Sequence, residues 1–122
     1  MEIRLQILHD AEVIDKEVYI GMLEVIKRLE QHWQLNIRHA QGEMMITHMA
    51  NAMTRALHGE IITAIDPELL NEIEASNVFA NIREINNDLL SLFAFTVPQS
   101  ELGYLLANVF GLYLAQSGCS TE

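Results

Sequence analysis

Residues 46–56 read Ile46-Thr47-His48-Met49-Ala50-Asn51-Ala52-Met53-Thr54-Arg55-Ala56. Ile46, Met49, Ala50 and Met53 recur at spacings of three and four, the pattern of an amphipathic helix with one buried stripe. His48 and Arg55 flank that stripe seven residues apart, with Asn51 between them. At about 100° per residue, seven steps return almost to the starting azimuth, so the two side chains face the same way two turns apart. An imidazole presented in this way can serve as metal ligand, general base or phosphoryl acceptor, and the guanidinium can help hold an anion.

Helical spacing extends in both directions from this stretch. The spacing predicts a helix over 36–57, with Leu57 completing the stripe and Gly59 placed to end it. Upstream, Val13, Ile14, Val18, Met22, Val25, Ile26 and Leu29 predict a helix over 11–32, on which Glu24 can pair with Lys27 and Arg28. Downstream, Asp66-Pro67-Glu68 combines an N-cap, a proline at the first helical position and an early acid, which opens a short helix over 67–75. Ser76 or Asn77 can cap the next helix, over 78–93. Val97-Pro98-Gln99-Ser100-Glu101 opens the last, over 98–116, with a carboxylate in its first turn. Residues 1–9, where Ile3, Leu5 and Ile7 alternate, fit an extended arm or a frayed helical start. Alternating Val-, Ile- and Thr-rich runs between hairpin turns are missing, so strands have little support. The expected fold is all-α, a compact bundle of about five helices. It forms one domain over 10–116, with an N-terminal arm at 1–9 and a tail at 117–122.

Half of the 122 residues are apolar, enough for a core without disulfides or a structural metal. The net charge is −10, and all seven Lys and Arg residues lie at or before Arg83. Nucleic-acid binding needs a basic footprint, and this chain has none, so direct DNA or RNA binding is not expected. Cys119, the single cysteine, has no internal partner, which fits a reducing compartment. No secretory signal opens the chain. The most apolar run, 102–115, is too short to span a bilayer. These features together predict a cytoplasmic protein with no membrane contact.

His9, His32, His39 and His58 fall near predicted helix ends or connections, where exposed histidines are ordinary. No HExxH motif occurs, and His32 and His39 straddle a turn, so a metal site has little support. No serine–histidine–acid order or glycine-rich phosphate loop is present. Gly103 and Gly111 read as positions of close helix packing. Nothing here assembles an enzyme active site, and no cofactor is implied.

The run Ile46-Thr47-His48-Met49-x-x-Ala52-x-x-Arg55 resembles the (I/L)-T-x-H-(I/L)…A-x-x-R region of PTS regulation domains, abbreviated PRD. The family shows the same seven-residue spacing from histidine to arginine. The segment Val97-Pro98-Gln99-Ser100-Glu101-Leu102-Gly103-Tyr104-Leu105-Leu106-Ala107-Asn108 resembles the family's last-helix motif. That motif has a proline, a glutamate three residues on, an aromatic, and a histidine seven after the glutamate. Pro98, Glu101, Gly103 and Tyr104 match it; Asn108 stands where the family histidine would be. The resemblance covers residues 10–116.

The resemblance implies a helical regulatory or adaptor protein that dimerises and is not an enzyme. Phosphocarrier or permease components of the sugar phosphotransferase system would phosphorylate it. His48 would be the phosphoacceptor, supported by Arg55 and Asn51. Asn108 cannot accept phosphate; it would complete a polar pocket around His48 with Glu101 or Tyr104. Residues 1–9 leave no room for an RNA-binding module, so the output would pass to a partner protein, such as another transcription regulator. A helical dimerisation module that has lost phosphorylation is the main rival reading. A small metal-binding protein using His32, His39, His48 and Glu43 is the third. The last helix carries apolar residues on more than one face, which must be central or lie at an interface, and a symmetric homodimer is expected.

Overall fold

A computed structural model describes the backbone of residues 1–120 and the side chains of residues 1–115. The tail expected at 117–122, with Cys119, lies outside the residues whose side chains are described. Six helices account for the order: α1 (Glu2–Asp10), α2 (Lys16–Lys27), α3 (Ala40–Leu57), α4 (Pro67–Ala75), α5 (Phe79–Leu90) and α6 (Gln99–Ser120). No strand occurs among the described residues. The all-α bundle stands. The sixth helix is α1, the helical one of the two forms open to residues 1–9, anchored by the buried Leu5.

Two helices begin later than their apolar periodicity suggests. Val13 and Ile14 precede the extended Asp15 that starts α2, and Glu12 takes a left-handed φ of 61°. Asn36 to Arg38 precede His39, whose ring nitrogen Nδ1 accepts from the Gly42 amide and caps α3. In both cases the apolar residues, Ile14 and Ile37, are buried core in a non-helical segment. Periodicity records which side chains are buried, and a loop entering the core at the right angle satisfies it as well as a helix does.

The α2 helix runs on into a π-helical turn over Arg28–His32, where the Trp33 amide donates to the Arg28 carbonyl. Trp33 then donates from Nε1 to Asp88 on α5 at 2.9 Å. Arg28 also turns to Asp88, at 3.5 Å, whereas Lys27 keeps the expected partner Glu24, at 3.7 Å. Other helix ends follow their sequence signals. Asp66 accepts from the Glu68 amide with Pro67 at the first helical position. Gly59 takes φ +73°, while the Gly59 and Glu60 amides donate back to Ala56 and Arg55, the pairing that closes a helix on a left-handed residue.

The core joins α2, α3, α5 and α6 through Val18, Met22, Val25, Met49, Met53, Ile82, Leu89 and Leu112, all buried. Helix α6 packs most extensively on α3 and then on α5, and also touches α4. Its apolar character on several faces therefore reflects a central place in the bundle. A methyl group at Gly103 would overlap Ile65, and one at Gly42 would overlap the Ile37 carbonyl. Backbone cannot move aside as a flexible side chain can. Gly42→Ala should therefore destabilise the protein by about 1–3 kcal/mol in urea unfolding, with the m-value unchanged.

The N-terminal helix is held by charge. Arg38 donates to both oxygens of Glu2, at 2.6 and 2.9 Å, and to both oxygens of Glu30, each at 2.8 Å. Hydrogen bonding to Arg38 holds the Glu2 carboxyl down at about 2. An unfolded glutamate ionises near about 4.3. The pair therefore stabilises the fold above that value, and the contribution is lost as the pH falls through about 2. Both groups are about half exposed, so the effect is below about 1 kcal/mol. Arg38→Gln should show that deficit near neutral pH and almost none by about pH 2.

Candidate functional site

Between α3 and α6 lies a groove of about 510 Å³. Gln41, Met44, His48, Asn51 and Arg55 line it from α3, and Tyr104, Leu105 and Asn108 from α6. The α3 residues follow one another at +3, +4, +3 and +4, a single helical row. Gln41 and Met44 were the members missed in the sequence. Gln41 precedes His48 by the same seven residues that separate His48 from Arg55, so the signal was there when the row is read upstream. Ile62, from the segment joining α3 to α4, also lines it and carries no sequence signal for the role.

The structure brings His48, Asn51, Arg55, Tyr104 and Asn108 to this one groove. Glu101 is not among the lining residues. It sits behind Arg55, fully buried at 0% side-chain exposure, while Arg55 remains 33% exposed. Arg55 Nε donates to Glu101 Oε2 at 2.7 Å, and Nη2 donates to Oε1 at 3.0 Å. This is the two-pronged guanidinium–carboxylate geometry, the strongest form of charge-assisted pairing. Hydrogen bonding to Glu101 raises the Arg55 pKa further, outweighing the opposing effect of burial. The anion also lies in the first turn of α6, where the helix dipole favours it.

Asn108 does not bond to His48. Its Nδ2 donates to the Met45 carbonyl at 3.2 Å, one turn earlier on α3. The amide thus ties the two groove walls together, with no hydrogen bond to the imidazole.

The other four histidines lie outside the groove lining. His39 donates from Nε2 to the Asn36 carbonyl at 2.7 Å while Nδ1 caps α3, which uses both ring nitrogens. His58 pairs with Asp15 at 2.6 Å, His9 stacks on Tyr19 with Asp10 alongside, and His32 meets the Trp33 ring edge-on. His48 is exposed and, among the described residues, has no hydrogen-bonding, ionic or ring partner. No group of three or more His, Cys, Asp or Glu side chains among the described residues could hold a metal ion. Among those residues, too, no helix is long and apolar enough to cross a membrane.

The chain belongs to the PRD domain family, whose model matches residues 23–109. PRD domains are regulatory modules linked to the phosphotransferase system, not catalytic ones. The chain is 44% identical to the uncharacterized protein YhfY of Escherichia coli (strain K12), over 94% of this chain and 96% of that one. It is 30% identical to an uncharacterized protein of Haemophilus influenzae, over 84% of this chain and 86% of that one. No solved structure matches it.

Proposed function

We propose that this chain is a cytoplasmic regulatory or adaptor protein of phosphotransferase-linked gene control, switched by phosphorylation of His48. The observation that carries this reading is that His48 lines the groove, exposed and without a hydrogen-bonding, ionic or ring partner among the described residues, on the same helical row as Arg55. A phosphoacceptor nitrogen needs an unengaged lone pair and an approach path, and His48 has both. The groove also suits an anion. In a chain of net charge −10, its lining contains no Asp or Glu, but includes Arg55 and the side-chain amides of Gln41, Asn51 and Asn108. Arg55 Nη1 takes no part in the Glu101 bonds and can donate to a phosphoryl oxygen.

The donor is a phosphohistidine of a phosphotransferase component. A ring-nitrogen lone pair of His48 forms the new P–N bond as the donor's P–N bond breaks. That electron pair returns to the donor imidazole, and no redox change or further reactant is involved. Asn108, lacking an acceptor lone pair on its amide nitrogen, leaves His48 as the one phosphorylated position of the groove. The product adds roughly two negative charges, and the output passes to a partner protein, another transcription regulator being the class that fits. We include homodimerisation in the proposal, since Ile3 and Ile7 stand exposed one turn apart on α1, at 72% and 61%.

The test is phosphoryl transfer from a phosphocarrier charged with phosphoenolpyruvate. The wild-type chain should be labelled, and Asn108→Ala should be labelled to a similar extent. A chain that stays unlabelled would favour the rival reading, a helical module without phosphorylation.

A further inference from the structure

We propose that the Arg55–Glu101 pair is a latch through which phosphorylation in the groove loosens the first half of α6. This rests on the reading of His48 as the phosphorylated residue. The latch joins the two most extensively packed helices, and its two halves differ in exposure. Glu101 has no accessible surface, whereas Arg55 reaches into the groove that His48 lines. The carboxylate therefore depends on a cation that something in the groove can draw away.

His48 and Arg55 lie seven residues apart, about 10.5 Å along the axis. Both side chains lean back over the preceding turn, and Arg55, the longer of the two and a lining residue of the same groove, is the one that can swing along the row toward a group on His48. A phosphoryl group on His48 carries about twice the charge of the Glu101 carboxylate and offers three acceptor oxygens. Arg55 can first reach it through the unused Nη1 and then turn the whole guanidinium toward it. Each step weakens the bonds at 2.7 and 3.0 Å to Glu101.

The consequence falls on α6. A fully buried carboxylate that loses its cation retains only the helix dipole, and must regain water, another partner or a proton from solvent. Water reaches it only if the first turns of α6 lift from α3. Little slack exists there: Gly103, two residues on, packs against Ile65 with no space for a methyl group, and Asn108 holds the Met45 carbonyl. Helix α6 also packs on α5 and α4, so a shift at its start spreads beyond the groove.

Amide hydrogen exchange on the full chain, phosphorylated by the charged phosphocarrier, tests the latch. The phosphorylated and unphosphorylated chains are separated intact by anion exchange before the exchange reaction begins. In the wild-type protein, phosphorylation of His48 should raise exchange over residues 101–109 roughly tenfold or more, a local opening rather than global unfolding. Glu101→Gln keeps the shape and a hydrogen-bond acceptor but strands no charge when Arg55 leaves. Its labelled population should show little or no rise. Should Glu101→Gln fail to fold, the pair Arg55→Met/Glu101→Leu replaces it, with the same expectation. Equal exchange in labelled and unlabelled wild-type protein would overturn the latch while leaving phosphorylation of His48 intact, and so would an equal rise in Glu101→Gln. A chain that takes no phosphoryl group overturns both.

Discussion

Arg55→Met should lower the stability of the protein by about 3 kcal/mol, the low end for breaking a buried ion pair from one side. The methionine keeps most of the stem's packing, so the loss comes from Glu101, left at 0% exposure with no guanidinium beside it. The one-third exposure of Arg55 is why the low end applies. Replacing both partners has a different expected result. Arg55→Met/Glu101→Leu removes the charge along with its partner, and should recover most of the loss or exceed wild-type stability. Urea unfolding of the wild type, the two single variants and the pair measures this directly, and the coupling energy in the cycle should exceed about 1 kcal/mol. Additive single effects would mean that the two groups do not depend on each other.

His48→Ala should abolish phosphoryl labelling and leave stability within about 0.5 kcal/mol of wild type, as for surface positions without partners. The two halves of this expectation come from one observation. An exposed imidazole with no hydrogen-bonding, ionic or ring partner among the described residues contributes little to the fold, and stays available for chemistry. His39→Ala is the contrast. It loses the Gly42 cap and the Asn36 bond, so it should destabilise by about 1 kcal/mol and keep its label. Loss of label in both variants would show that labelling follows fold integrity rather than the acceptor.

The fold was legible where local chemistry is decisive. Asp66-Pro67-Glu68 and Gly59 mark helix boundaries because capping and a left-handed residue act within a turn of themselves. The starts of α2 and α3 were not legible from spacing, because Ile14 and Ile37 are as buried in loops as they would be in helices. The site was legible along α3, where His48, Asn51 and Arg55 share one row. It was less so across the α3–α6 junction. No spacing tells that Glu101 lies beneath Arg55 rather than beside His48, or that Asn108 reaches the Met45 carbonyl. Those are distances between residues 46 and 63 positions apart, fixed by how α6 docks. The apolar faces of α6 illustrate the same gap. They suggested an interface, and the bundle itself covers several of them through Leu105, Val109 and Leu112.

Localising the phosphoryl group bears hardest on this reading. The wild-type chain is incubated with phosphoenolpyruvate and the phosphotransferase carriers, digested without acid, and sequenced by mass spectrometry. A second PRD protein in the same mixture serves as the positive control. The phosphoryl group should be found on His48, with His9, His32, His39 and His58 unmodified. Phosphate on one of those four with His48 bare, or an unlabelled chain beside a labelled control, would contradict the assignment of His48 as the switch.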